Sequence, residues 1–518
     1  MQMDRAMTGG FRREPMKCSI LVAAFLCGMA ALPTFAAGEP EGSSDLPLSL
    51  VTSDATAEEA ERLSNVLAAY FGRTVLAEKT IVVRPAGKEY EVVLNSNHLL
   101  SQFFSDRQVV AQVVLEPQPL VAKLAPLTGG RWLVRVELPS KLAIMATTDE
   151  GSLSYRQTYE GHRFQGVFDP RLGGFGSARY AYEKADVVEL SNDLVATVED
   201  SGQNLSLEVA PDPANSDLVS GKVSHSAGRF SYSVKSPEGS APMVTAGFDQ
   251  AGSQFSVAGL PLKGVLDLWS FAVAHADKVA LAGEQDTLRA KLLNVLPFWS
   301  GMGASGSVSN FQVTSAVGQF KVSNVSASLQ SGDASDRSSF RIGLDLSGVS
   351  LVSLLLPSEL SEFVPDTASL SVQIDGLNVG EAARTTVTLV DLNGEGGLSE
   401  DESRKIADAL NLKDLKVRIL PSRIAAEAMS FIIEGELRVG EDRPDGTITL
   451  RCSGCSSALD RLKTVQDINP TIGDGVEAFA LFHALASKAG DSDSIWTCAF
   501  TPAGITVNGE MLSPAPKL

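Results

Sequence analysis

Apolar and polar residues alternate at period two over most of this chain. Leu205-Ser206-Leu207-Glu208-Val209 and Phe230-Ser231-Tyr232-Ser233-Val234 are clear examples. That period places successive side chains on opposite faces of a strand. Short β-prone runs follow one another at 80–83, 90–94, 109–115, 132–138, 153–159, 163–168, 177–182, 187–188 and 194–198. They resume at 309–314, 318–323, 325–329, 341–346, 369–374, 385–390, 412–420 and 430–439, then 447–450, and end in a hairpin over 494–510. Turns every eight to twelve residues describe a meandering antiparallel sheet.

Helical spacing interrupts this in a few places. Thr56 and Glu59 fit a capping box ahead of the stripe Leu63, Val66, Leu67 and Tyr70, which Gly72 ends. Leu262, Val265, Leu266, Trp269 and Val273 predict a helix over 261–276. Leu288, Leu292, Leu293 and Leu296 predict a second, stopped by Pro297. Further helices are expected over 399–409, 457–465 and 475–489. The order predicts an α+β fold, β-rich, with long meandering antiparallel sheets and helices packed on one side. It loosely suggests one architecture used twice. The expected division is 37–250 as a β-rich domain, 251–300 as a helical hairpin and 301–518 as an α+β domain.

The N-terminus changes the picture. Lys17 precedes an apolar run of 14 residues, Ser19–Leu32, and then Pro33, Thr34, Phe35, Ala36 and Ala37. A membrane span needs about 20 residues, so this reads as a secretory leader over 1–36, cleaved after Ala36, with Thr34 and Ala36 at the specificity positions. An uncleaved anchor fits less well because the run is short, and a lipoprotein at Cys27 fits less well because Leu26 stands where a small residue is needed. Met16 is the better start for this leader, which leaves 1–15 outside it. The expected product is a soluble periplasmic protein with no integral membrane segment after cleavage. Its formal net charge of −19 gives it no electrostatic reason to bind nucleic acid.

Candidate chemistry is sparse. Cys452, Cys455 and Cys498 are the disulfide candidates in an oxidising compartment, as Cys452–Cys455 or one of them with Cys498. Asp391, Asn393, Glu395 and Glu402 occupy positions 1, 3, 5 and 12 of a twelve-residue loop with Gly396 at 6, an EF-hand-like Ca²⁺ pattern. The β-like segment before it favours instead an acidic helix start. No other cofactor is expected. His98, His162, His225, His275 and His483 form no ligand spacing; His162 reads as part of a hairpin turn and His225 as a residue within a strand. No nucleophile elbow, phosphate loop or carboxylate pair is present. Tyr155, Tyr159, Phe164 and Phe168 belong to the densest aromatic cluster, with Phe175, Tyr180 and Tyr182. They suit a core ladder across strands or one wall of an apolar ligand groove.

Several stretches carry a family resemblance: Gly161-His162-Arg163-Phe164 through Pro170, the helix at Pro261–Ser270, Arg438–Thr449 with its Pro444-Asp445-Gly446 hairpin, and Thr506-Val507-Asn508-Gly509. With the leader, they make the chain resemble an uncharacterised periplasmic domain-of-unknown-function family, found mainly in alphaproteobacteria. The resemblance spans most of the mature chain and implies a periplasmic location. It implies no functional residues.

Three functions compete at this stage. A non-catalytic protein would hold an apolar or lipid-like ligand in a sheet-lined groove. A structural or assembly protein would contact envelope proteins through sheet edges or a surface patch. An exported hydrolase would need a polar cleft. The expected partners are thus lipid or envelope protein.

Overall fold

The structure, a computed structural model, describes residues 50 to 514 apart from 52, 96–109, 149–150, 192–193, 214, 237–238, 240, 276–277, 335–336, 355, 392–397, 440–443, 470–471, 490–492 and 502. The chain divides into units Met1–Thr34 and Phe35–Leu518, and every described residue belongs to the second.

The α+β, β-rich expectation holds. All the described strands join one antiparallel hydrogen-bonded network that does not close into a barrel. Its strands sort into two leaves. The first leaf begins with β1 (Ile81–Ala86), β2 (Glu89–Leu94), β4 (Leu120–Pro126), β5 (Trp132–Glu137), β8 (Arg163–Asp169) and β9 (Gly174–Tyr182). It continues through β12 (Gln203–Pro211), β13 (Val219–Ala227) and β16 (Gln250–Leu260), each paired with the next. The second leaf is β3 (Val110–Glu116), β6 (Lys141–Thr148), β7 (Gly151–Glu160), β10 (Lys184–Leu190), β11 (Val195–Asp200), β14 (Phe230–Lys235) and β15 (Val244–Phe248).

The leaves merge on one long strand. The first half of β17 (Gly301–Ser315) pairs with β16 and its last residues pair with β15. β18 (Gly318–Ser331) and β19 (Ser338–Ser353) extend both leaves. Only the first leaf continues beyond them, through β20 (Thr367–Leu377), β21 (Leu415–Ala425), β22 (Ser430–Val439), β23 (Pro444–Ser453), β25 (Asp493–Thr501), β26 (Gly504–Val507) and β27 (Glu510–Pro514). β24 (Ser487–Ala489) is a short addition beside β25.

The chain passes from leaf to leaf along a single crease. The passages lie at Pro117-Gln118-Pro119, Leu138-Pro139-Ser140, Gly161-His162, Glu183, Ser201-Gly202, Gly228-Arg229 and Asp249. Main-chain bonds stitch neighbouring passages together: Glu183 N to Glu160 O (2.8 Å), Ser201 N to Arg229 O (2.8 Å), Gly228 N to Gly202 O (2.9 Å) and Asp249 N to Ser309 O (3.0 Å). In β17 the crease falls at Asn310, held at φ 53°, a left-handed conformation that Asn tolerates well. Gly202 (φ 109°) also needs its missing side chain: a Cβ there would lie 2.8 Å from the Glu183 carbonyl oxygen.

Five helices gather at the end of the first leaf remote from the crease: α1 (Ala57–Phe71), α3 (Leu262–Ala274), α5 (Gln285–Asn294), α6 (Val379–Leu389) and α7 (Glu400–Ala409). Two short helices, α2 (Arg73–Ala77) and α4 (Lys278–Gly283), flank them. The expected cap of α1 forms halfway. Glu59 N donates to Thr56 Oγ1 (3.2 Å), while Thr56 N donates to the Tyr90 hydroxyl (3.1 Å) instead of to Glu59. Trp269 of α3 donates to Tyr70 O (3.0 Å), and Arg289 of α5 reaches Val387 O and Val390 O (3.3 Å each).

One expected strand is corrected. Residues 385–390 read as a strand from Thr385-Thr386-Val387-Thr388, but 385–389 finish α6 and Val390 caps it. The β-branched run yields to packing: Gly380 and Ala382 are buried, and the Thr386 and Thr388 hydroxyls fold back onto Ala382 O and Arg384 O (2.8 Å each). The helix expected over 475–489 is also shorter. It ends at Ala484, and its last residues become β24.

Two helices return over the far end of the first leaf, α8 (Cys455–Ile468) and α9 (Gly473–Ala484). Phe482 of α9 stacks on Trp496 of β25, with centroids 4.6 Å apart, and accepts the indole N–H at its carbonyl (2.8 Å). Cys452, Cys455, Trp496 and Val507 form the buried centre of this contact. A Cys452–Cys455 disulfide ties the end of β23 to the start of α8, which selects one of the two expected pairings.

Candidate functional site: an apolar trough with a polar crease

Paired residues in an antiparallel sheet share a face, so the register sorts every side chain. One row in the first leaf runs Tyr90, Leu124, Val134, Gly166, Ala178, Leu207, Val223 and Phe255. It continues unbroken through Ala304, Leu329, Ile342, Val372, Ile419, Gly435, Ile448, Cys498 and Val507. No position in it is charged. The row one residue away, on the opposite face, carries Arg84, Glu91, Lys123, Arg135, Gln165 and Arg179, and then Ser206, Ser224, Gln254, Ser305 and Ser328. The sheet therefore has one apolar and one polar face. At about 4.8 Å per strand, the seventeen strands in that row make the apolar face roughly 80 Å long.

The second leaf is sorted the same way. Leu115, Leu142, Gln157, Val187, Val198, Tyr232, Ala246 and Val313 share a row. Lys141, Asp186, Glu199 and Lys321 are on the other face. In β17 the apolar positions are even up to Val308 and odd from Phe311, so the phase switches by one residue at Asn310. In β19 it switches at Gly348.

Contacts at the crease show that both apolar faces line the same side. Tyr182 of the first leaf donates to Asp200 Oδ2 of the second (2.7 Å), and its ring meets Tyr159 of the second leaf at 5.3 Å. The apolar faces thus line a trough, open to solvent along part of its first-leaf wall. Ile342, Leu344 and Leu370 on its first-leaf wall are 48 %, 37 % and 47 % exposed.

A polar cluster sits at the crease inside this apolar surface. Asp200 Oδ2 accepts from Tyr182 and from Gln203 Nε2 (2.9 Å), and Oδ1 accepts from Gly202 N (3.0 Å). His162 bridges Pro139 O (2.7 Å) and the Tyr180 hydroxyl (3.0 Å), with Tyr159 stacked on its ring at 4.2 Å. His225 meets Gln203 Oε1 through Nε2 (3.4 Å), and its buried Nδ1 has no hydrogen-bond partner among the described residues. Burial pulls the pKa of both imidazoles below the ordinary value, so both are neutral at pH 7. Burial, reinforced by Asp200, pushes the Tyr182 phenol well above its ordinary range.

The four aromatics singled out by the sequence are divided between the leaves. Tyr155 and Tyr159 lie on the second and Phe164 and Phe168 on the first. Only Tyr159 joins the polar cluster. Phe164 and Phe168 both pack edge-on to Phe175 (5.3 and 5.8 Å). Phe175 lies so close over Gly166 that a Cβ there would sit 2.7 Å from its ring. Asp200, Gln203 and His225 carried no sequence motif. The available signal was phase: His225 stands in step with Val223 and Ala227 on the apolar side of its strand.

The other sequence candidates fall elsewhere. Cys498 is free, and burial pushes its thiol pKa up. Asn393 and Glu395 lie outside the described residues. Glu402 closes a capping box on α7, accepting from Ser399 N (2.8 Å) and Ser399 Oγ (2.7 Å). Among the described residues no three His, Cys, Asp or Glu side chains converge as metal ligands, and no helix is long and apolar enough to cross a membrane. Two shallow concavities, about 410 and 430 Å³, lie apart from the trough. One is lined by polar residues such as Asp345, Ser369 and Arg423, and the other lies beside Glu362 and Arg461. No protein-family model, curated protein or solved structure matches this chain.

Proposed function

We propose that this is an exported carrier or receptor for an apolar chain, such as the acyl chain of a lipid, which lies along the trough. The observation that carries the reading is the uncharged inner row, running across seventeen strands while the adjacent outer row is polar. The partly exposed stretch of this face at Ile342, Leu344 and Leu370 is unfavourable in water and marks a binding surface. Export is supported by Lys17, the apolar run Ser19–Leu32 and the small residues Thr34 and Ala36.

The test is native and denaturing mass spectrometry on the protein purified from its native host, followed by uptake of the apolar fluorophore N-phenyl-1-naphthylamine. An apolar species released on denaturation, with saturable uptake afterwards, is expected. A clean mass together with no uptake would overturn the reading and assign the exposed Ile342–Leu370 surface to a protein partner instead.

A further inference from the structure

We infer that the crease cluster is a head-group subsite, and that the trough takes an amphiphile whose uncharged head group bears hydroxyls, such as a glycerol or glycosyl group. This rests on the trough reading and goes beyond it by naming the class of head group. Three observations carry it.

The first is the orphan His225 Nδ1, which is buried on the apolar face without a partner among the described residues. A buried polar atom left unpaired is costly, and a ligand that pairs with it gains in affinity. The second is the charge around it. The registered inner positions of the first leaf from β1 to β26 are uncharged, and those of the second carry only Glu189 and Asp200. Nearby cations are engaged elsewhere: Arg163 with Glu183, Lys184 with Asp186 and Arg229 with Asp249. A phosphate or carboxylate head would therefore face Asp200 with no cation to balance it, whereas a hydroxyl can donate to Asp200 and pair with His225. The neutral imidazoles point the same way.

The third observation is space for the chain. From His225 the inner row passes over Ser253, Gly306 and Ala327 before reaching Leu344 and Leu370. These side chains are small, and the row leads from the polar cluster to the partly exposed Leu344 and Leu370.

The test uses three probes that share a twelve-carbon chain: 1-monododecanoylglycerol, dodecanoic acid and dodecyl phosphate. Each displaces N-phenyl-1-naphthylamine from the full mature chain at pH 7.5. The glycerol ester should bind at least about tenfold more tightly than the two anions, the scale of one buried hydrogen bond. His225→Leu should abolish that preference while leaving anion binding unchanged. Leu344→Asp, four strands along the row from His225, should weaken all three. Circular dichroism checks that both variants fold, and Gln203→Leu gives a second route to the cluster if His225→Leu does not. Equal binding of the three probes, or an unchanged preference in both cluster variants, overturns the head-group inference and leaves the trough standing. No displacement by any probe, with Leu344→Asp indistinguishable from the parent, overturns the trough itself.

Discussion

Two neighbouring residues on β18 separate the faces of the sheet. Leu329 lies in the inner row between Ala304 and Ile342, and Ser328 lies outside between Ser305 and Gly343. Replacing each with aspartate puts the same charge on the same strand, one residue apart. Leu329 is half-buried, so losing its side chain removes about 1 kcal/mol of the roughly 2 kcal/mol that full leucine burial is worth. Placing a carboxylate among apolar neighbours adds a further 1–2 kcal/mol or so, limited because the group protonates rather than remain charged. Leu329→Asp should therefore destabilise locally by about 2–3 kcal/mol, and Ser328→Asp by no more than about 0.5 kcal/mol. A chain of this size does not unfold in one step, so the suitable assay is hydrogen exchange read by mass spectrometry on peptides covering β17–β19. Leu329→Asp should lower protection there roughly 30- to 150-fold and reduce fluorophore uptake. Ser328→Asp should do neither. Equal effects, or a larger one from Ser328→Asp, would mean that the assigned faces are wrong, and the trough with them.

Other consequences can be checked independently. Trp496 is fully buried under α9, so Trp496→Ala should cost about 3–5 kcal/mol, seen as lost exchange protection confined to α9 and β25–β26. Gly202→Ala forces a side chain onto a carbonyl at φ 109°, and should destabilise the crease by about 1–3 kcal/mol in the same exchange assay on β11 and β12. Reducing the Cys452–Cys455 bond opens a four-residue loop, worth about 2 kcal/mol by chain entropy. Cys498, whose thiol burial holds above its ordinary pKa, should resist iodoacetamide until the protein is denatured. The Ser399 N–H and hydroxyl hold Glu402 below the ordinary carboxylate range. Its cap is therefore at full strength above the unfolded value near pH 4.3 and is lost as pH falls through the lower folded value. Carbon-13 NMR of the carboxyl group checks the depressed titration, and Glu402→Gln should remove that pH dependence from α7.

Much of the fold is legible as periodicity. Leu205–Val209 and Phe230–Val234 become β12 and β14 because each presents one apolar face. The helix over Leu262–Ala274 is legible because its leucines recur at helical spacing. Residues 385–390 mislead because threonines and valine favour a strand locally, while the helix is decided by Gly380 and Ala382 packed against neighbours distant in sequence. The crease is the least legible feature. Asn310 and Gly348 look like ordinary polar interruptions, and only the register shows that they align with Ser323 across three strands. The polar cluster is hidden for the same reason: Tyr182, Asp200 and His225 meet through strand order, and none is within hydrogen-bonding reach along the chain.

The phase switch explains how one antiparallel sheet can make a trough at all. A single layer with one apolar face would normally close on itself or pack against a second layer, burying that face completely. Here the strands bend at the crease and the apolar phase moves by one residue at the bend, so both leaves keep their apolar side chains on the same side. If the leaves then collapsed into a sandwich, their aromatic residues would interdigitate and be lost to solvent. Instead Ile342, Leu344 and Leu370 remain 37–48 % exposed. The ends are held by other means: five helices at the rim of the first leaf, and the disulfide-anchored α8 and α9 over Trp496. Packing is thus concentrated at the rim, the crease and the C-terminal end, which leaves the wall between them free to exchange water for an apolar chain.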